Sequence, residues 1–413
     1  MTGPQTGPLE GTLVVDLTRA LAGPHAGMML GDLGARVIKV ESPGTGDDTR
    51  GWGPPFVQPD GAARESTYFL STNRNKESIT LDLKDDADKA VLTELLRRAD
   101  VLLENFRPGT LDRLGFGTDV LEAVNPRLVT LAISGFGHDG PEGGRAGYDQ
   151  IAQGEGGLMS LTGSGPEDPQ RVGVPIGDLL AGMYGAYGVL AALLERERTG
   201  RGQVVRTSLL AAIVGVHAFQ GTAWTVAGKV GSAQGNHHPS IAPYGLFHCA
   251  GGSVQLSCGS ESLWRKLCVA FGLDPEAPGL ATNGERVGNR QQVIDLLESA
   301  FADISPEDLL ARLAAAGIPA GKVRTLDEVY GWDQTLSQGL LIDVEHASLG
   351  QLSLPGPPLR FFAPGPDGEV ETTRTAHAAP PVLGADGDAI RAWLAGDGVP
   401  RPATDDPEDG HAT

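Results

Sequence analysis

The sequence predicts an α/β protein with a large parallel-sheet domain and a smaller α+β domain. Three observations carry this prediction. Short apolar, β-branched runs alternate with helical periodicity from Thr12 onward, and strand–helix–strand order builds parallel sheets, because parallel strands need a long crossover. Composition changes after about Gly228, where a loop of Gly, Asn, His and Pro covers Gly231 to Pro243. At 413 residues, the chain also exceeds what one hydrophobic core usually serves.

Thr12 to Leu17 reads as a buried strand, broken by Gly23-Pro24. Met28 to Leu33 has helical spacing and stops at Gly34, and RVIKVE at Arg36 to Glu41 is the next strand. A helix follows over Ala87 to Ala99, a strand at Val101 to Glu104, a helix near Thr118 to Asn125 and a strand at Leu128 to Ser134. The outline is Rossmann-like, but no GxGxxG follows the first strand, so no nicotinamide or flavin site is indicated. Leu179 to Arg198 reads as one long helix of small and apolar residues, closed by Gly200. Gln203 to Ser208 reads as a strand and Leu209 to Ala227 as a second apolar helix. The smaller domain begins with strands at Gly245 to His248 and Ser253 to Ser257. Helices follow over Ser262 to Phe271, Asn289 to Ala302 and Pro306 to Ala316. The expected boundaries are therefore 1–228 for the first part of the large domain, 229–320 for the small domain and 321–395 for a return to the large one. Residues 396–413 are polar, acidic and proline-containing, and are expected to be disordered.

Net charge is −20, and no basic stripe marks a nucleic-acid binder. An acidic protein that takes an anionic ligand must concentrate its cations locally. The three cysteines, Cys249, Cys258 and Cys268, are odd in number and lack CxxC spacing, as fits small core thiols in a reducing, cytoplasmic setting. The segment MTGPQTGPLEGT has neither a charged nor an apolar leader region, and no apolar run approaches membrane-spanning length, so no membrane partner is expected. His237-His238 lies in a glycine-rich loop, apart from His217 and His248, which is not a metal-ligand pattern; no metal is expected. The absence of GxSxG weighs against an acyl hydrolase.

Several segments are hard to explain as generic α/β sequence. They are Ala22-Gly23-Pro24, Val37 to Glu41, Asn73 to Asp82 (NRNKESITLD), Glu104 to Gly109 (ENFRPG) and Gly177-Asp178 at the start of the long helix. Gly147-Tyr148-Asp149, Leu158 to Gly163 and Thr199 to Gln203 add to them. In this order and spacing the chain resembles the family III (CaiB/BaiF) CoA transferases, the group of formyl-CoA transferase, carnitine CoA transferase and α-methylacyl-CoA racemase. CoA carries phosphates that need Arg, Lys and backbone N–H groups. Arg74 and Lys76 are read in a polar loop before a strand, and Arg107 in a loop after one, where ligands of open α/β sheets bind. The resemblance adds Asn105, Phe106, Arg113, Leu81 and Arg145 to the CoA site, with Ala22 near the pantetheine. Ser42 stands where some members have an arginine.

A thioester-to-acid exchange needs a group that can be acylated and then release the acyl group, and a carboxylate can do this. The resemblance implies that Asp178, after Gly177, is that nucleophile. From the residues alone, an aspartate there also reads as a helix cap. Tyr148 stands where the racemase branch has histidine, and Asp149 where formyl-CoA transferase has an acidic residue. Tyrosine is a poor α-proton base near neutral pH. The expected activity is therefore CoA transfer from an acyl-CoA thioester to a free carboxylic acid through an aspartyl anhydride and an aspartyl-CoA thioester, without a permanently bound cofactor. The alternatives are a 2-methylacyl-CoA racemase of the same fold and a CoA-binding protein without transfer activity. The glycine-rich lid of formate- and oxalate-type members is reduced to one glycine in Ser257 to Glu261. The resemblance also implies an interlocked homodimer.

Overall fold

The computed structural model describes residues 7–396 apart from 60, 62 and 367. The expected disordered tail lies, from residue 397 on, outside the described residues. The chain forms two compact units. Unit 1 is Met1–Gly156, Gly173–Ala218 and Leu336–Thr413; unit 2 is Gly157–Val172 and Phe219–Thr335. Unit 2 thus begins earlier and ends later than the 229–320 read from composition. Its segment 157–172 is tied in locally: Gly235 N donates to Gly163 O at 3.0 Å.

Unit 1 holds six parallel strands: β1 (Leu13–Asp16), β2 (Arg36–Glu41), β3 (Lys76–Thr80), β4 (Val101–Glu104), β5 (Val129–Ser134) and β6 (Val204–Ser208). They stand in the order β3-β2-β1-β4-β5-β6. This is the doubly wound order, and it reverses between β1 and β4, where such sheets open a crevice beyond their carboxyl ends. The helices are α1 (Ala22–Asp32), α2 (Asp86–Arg98), α3 (Thr118–Val124), α4 (Asp149–Glu155), α5 (Ile176–Thr199) and α6 (Leu209–Gly215). On one face Leu13, Val15, Ile38 and Ile79 bury against Leu92, Leu95, Leu96 and Leu121, and Ile390 of the C-terminal helix Gly387–Ala395 closes this core. Residues i and i+2 of β1 share that face because side chains alternate along a strand. On the other face α5 packs on α1 and β5.

Local chemistry sets the ends of these helices. Asp85 caps α2 by accepting from the Ala87 and Asp88 amides. Gly200, at φ 73°, ends α5 in the left-handed conformation that glycine takes at no steric cost. α1 starts at Ala22, six residues before the helix read from periodicity. Gly23-Pro24 falls in its first turn, where a proline loses no helical hydrogen bond. The single helix expected over Leu209 to Ala227 is two, α6 and Ala218–Ala227, with Ala218 at φ 48° between them. α5 is 24 residues long and, by length and composition alone, apolar enough to cross a membrane, contrary to the expectation that no such run exists. Its buried positions pack on α1 and the sheet.

Unit 2 is α+β. Its antiparallel strands β7 (Tyr244–Cys249), β8 (Gly252–Ser257) and β9 (Ala320–Gly321) lie in the order β9-β8-β7. Helices α7 (Glu261–Phe271), α8 (Arg290–Phe301) and α9 (Pro306–Ala315) complete its core around Phe247, Trp264, Leu297 and Phe301. Cys258 and Cys268 are buried in that core. His238 stacks against Phe219 and Tyr244.

Candidate active site

The crevice at the switch between β1 and β4 is a cavity of about 260 Å³. The loop after β1 (Arg19 to Ala22), the loop after β4 (Asn105 to Pro108), Gly144 to Tyr148 and Asp178 line it, all within unit 1. A second cavity of about 450 Å³, lined among others by Ser42, Leu81, Lys84 and Thr110, shares Arg19 and Phe106 with the first.

The β1 loop is held by its own backbone groups. Thr18 N and Oγ1 both donate to Asp16 Oδ1, and the buried Lys39 Nζ donates to Thr18 O at 2.9 Å. Arg19 N donates to Asn105 Oδ1 at 2.9 Å, and Asn105 Nδ2 returns a bond to Arg19 O at 2.7 Å. Ala20 N donates to Asp47 Oδ1 at 3.2 Å, and Ala20 has φ 67°, a conformation that costs a non-glycine residue about 1–2 kcal/mol. Asp47 pairs with Lys39 at 2.8 Å, both side chains being fully buried. Burial alone would push the Asp47 carboxyl up; Lys39 and the Thr49 bonds bring it below the ordinary range. Asn105 therefore reaches the cavity wall with its amide already engaged. Lys39 and Asp47 were missed from the sequence, although a lysine inside an apolar strand was the available signal.

Asp178 is the third residue of α5 and is half-buried. Among the described residues its carboxylate has no hydrogen bond or ion pair. The helix N–H of Gly177 donates instead to Asp149 Oδ1 at 2.7 Å, and Asp149 Oδ2 accepts from Gln153 Nε2 at 2.7 Å. Asp149 thus does the capping that the isolated sequence assigns to Asp178. Burial first, and the nearby Asp149 carboxylate second, push the Asp178 carboxyl up to about 7. Asp48, the other carboxylate lining the cavity, pairs with Arg19 at 3.4 Å. Tyr148 lines the cavity and is 70% exposed. Tyr68, not singled out from the sequence, has its phenol raised by burial and then by the Asp178 and Asp149 charges; it packs edge-on against the cavity residue Trp52.

The remaining predicted positions divide. Ala22, Asn105, Phe106, Arg107, Arg145 and Tyr148 come together around Asp178, and Leu81 lies in the second cavity. Arg145 pairs with Glu142 at 3.2 Å and Glu155 at 2.8 Å. Arg74 and Lys76 do not join them. Arg74 is buried, forked onto Asp32 and bonded to Pro355 O. Lys76 is the first residue of β3 rather than a loop residue, and its Nζ reaches Asp16, Pro24 O and Asn73. Burial lowers the Lys76 ammonium to about 8. Their charge is spent inside the fold, because a buried cation needs a partner. Arg113 is exposed, bonds Thr110 Oγ1 and lines neither cavity.

A family model described as CoA-transferase family III matches residues 9–387. Succinyl-CoA:glutarate CoA-transferase of Mus musculus is 40% identical over 357 residues, spanning 86% of this chain and 80% of its own length. Succinate–glutarate CoA-transferase of Agrobacterium fabrum is 38% identical, spanning 87% of this chain and 92% of its own. A crystal structure of a CaiB/BaiF family protein from Brucella suis superposes with TM-score 0.81 at 40% identity, over 94% of this chain and all of that one.

Proposed function

We propose that this chain, which belongs to CoA-transferase family III, carries CoA from an acyl-CoA thioester to a free acid through Asp178. The observation that carries the proposal is the unpaired, half-buried Asp178 carboxylate in the crevice, with Asp149 occupying the Gly177 N–H beside it. An ionised Asp178 oxygen attacks the thioester carbonyl, the C–S bond breaks and CoA leaves as thiolate, giving a mixed anhydride. The thiolate attacks the aspartyl carbonyl and frees the donor acid, leaving an aspartyl-CoA thioester. The acceptor carboxylate attacks that thioester and expels the thiolate again. The thiolate then takes the acyl group of the new anhydride, and Asp178 returns as carboxylate. Every step conserves an anhydride or thioester, so no external energy source enters.

The substrate class we propose is a short dicarboxylic acid with its CoA thioester as donor, because the relatives include enzymes named for succinyl-CoA and glutarate. Arg107, at the cavity wall, has no ion-pair partner among the described residues and suits a distal carboxylate. The working form is a homodimer with interlocked chains, a reading supported by the apolar residues that α5 leaves exposed. Asp178→Ala tests the mechanism. Transfer from succinyl-CoA to glutarate should fall by at least about a thousandfold while the far-UV spectrum and CoA binding are kept. Near wild-type turnover would remove the nucleophile.

A further inference from the structure

A cavity of about 220 Å³ lies where β4, β5 and β6 face α3, and the transfer mechanism does not use it. Its wall carries Arg107 from the loop after β4, Arg206 from β6, His138 from the loop after β5 and the buried Glu104 at the end of β4. Among the described residues, Arg107 and Arg206 are the arginines whose side chains have no hydrogen bond, ion pair or ring contact. Both line this one cavity. In a chain of net charge −20, leaving two guanidiniums unpaired on one cavity sets them apart from the other described arginines.

No neighbouring carboxyl forms an ion pair with either arginine among the described residues. Burial pushes the Glu104 carboxyl up to about 7, partly offset by the Phe106 N–H it accepts at 2.8 Å and by the Arg206 charge, so it carries a proton in mildly acidic solution and loses it above neutrality. Asp112 also lines the cavity and pairs with neither arginine. His138 sets Nδ1 3.5 Å from Ser134 Oγ and keeps a buried Nε2 with no hydrogen-bond partner. In mildly acidic solution an oxyanion would meet forked donors, an imidazole and a protonated Glu104 carboxyl.

We propose that this cavity is a second anion site, taking a doubly charged oxyanion, phosphate or a small dicarboxylate, between Arg107 and Arg206. Arg107 also lines the crevice that holds Asp178. An anion bound beside Arg206 draws Arg107 out of that crevice and weakens acyl-CoA binding. The anion site stands on its own geometry; the effect on acyl-CoA rests on the transferase reading.

The experiment is calorimetric titration of the intact protein with phosphate and, separately, with succinate, at ionic strength held constant with sodium chloride. We expect saturable binding of at least one of them, weakened at least about tenfold in Arg206→Gln and largely restored in Arg206→Lys. The anion whose heat is lost in Arg206→Gln identifies the ligand. Transfer without added anion should be unchanged in Arg206→Gln, and the anion so identified should raise KM for acyl-CoA in the wild type and in Arg206→Lys but not in Arg206→Gln. Absence of saturable heat with both anions, or equal affinity in Arg206→Gln, overturns the site. Heat that depends on Arg206 with no change in KM overturns the sharing of Arg107.

Discussion

At the scale of single residues, the proposed chemistry turns on a proton that Asp178 holds tightly. With its carboxyl raised to about 7, the anion that the proposed mechanism requires becomes the major form only above neutrality. kcat/KM should therefore rise with pH and level off above about 7, because that ratio reports ionisation in the free enzyme. Asp149→Asn removes the second cause of the shift and should move the midpoint to lower pH. A midpoint that stays in place would separate Asp149 from the proton affinity of Asp178. Stability should carry the same signature. A carboxyl whose folded-state affinity is raised stabilises the fold while protonated, and that contribution is lost as pH climbs through about 7. Asp178→Asn should therefore melt at a higher temperature than wild type at pH 8 while transferring nothing. Gly177-Asp178 was legible in the sequence because it opens an obvious helix. Asp149 as acceptor of the Gly177 amide was not, because the two meet only in the folded chain. Arg74 and Lys76 show the converse: sequence displays a charge but not the Asp32 or Asp16 that consumes it.

Among the elements, the α1–α5 contact decides where the crevice wall stands. A Cβ built on Gly182 of α5 would sit 2.6 Å from the backbone oxygen of Ala22, the first residue of α1, and 3.2 Å from His25 Cβ. Helix backbones approach this closely only where a side chain is missing. Gly182→Ala should cost about 1–3 kcal/mol and lower kcat/KM, because relief requires the start of α1 to move. Gly165→Ala, with open space around its Cβ, is the control in thermal melts and assays. Equal melting temperatures for the two variants would contradict this packing. Strands were the most legible elements: Arg36–Glu41 and Val101–Glu104 coincide with their expected bounds, since buried parallel strands read as continuous apolar or β-branched runs. Lys76 was read in the loop before a strand, whereas it opens β3, and its Nζ donates to Asp16.

For the whole molecule, the proposed dimer makes the sharpest claim. Tyr187 and Leu194 of α5 are 72% and 76% exposed, and Met183 and Tyr184 of the same helix are exposed beside them. Sedimentation at stepwise lower concentration should show a dimer that persists until the chain unfolds. A folded, active monomer appearing reversibly on dilution would rule out interlocking. Composition marks a change near Gly228, but it does not reveal that Gly157–Val172 belongs to unit 2, where Gly235 N donates to Gly163 O. The order in which the chain is made gives the fold a timetable. All six strands of the large sheet are encoded before residue 209, so they leave the ribosome ahead of nearly all of unit 2. Groups that finish them lie far along the chain: Asp386 accepts from Ser78 N, Ala378 N donates to Asn75, and Ile390 fills the core under β3. The β3 edge of the sheet is therefore completed only by residues made long after its last strand, Val204–Ser208.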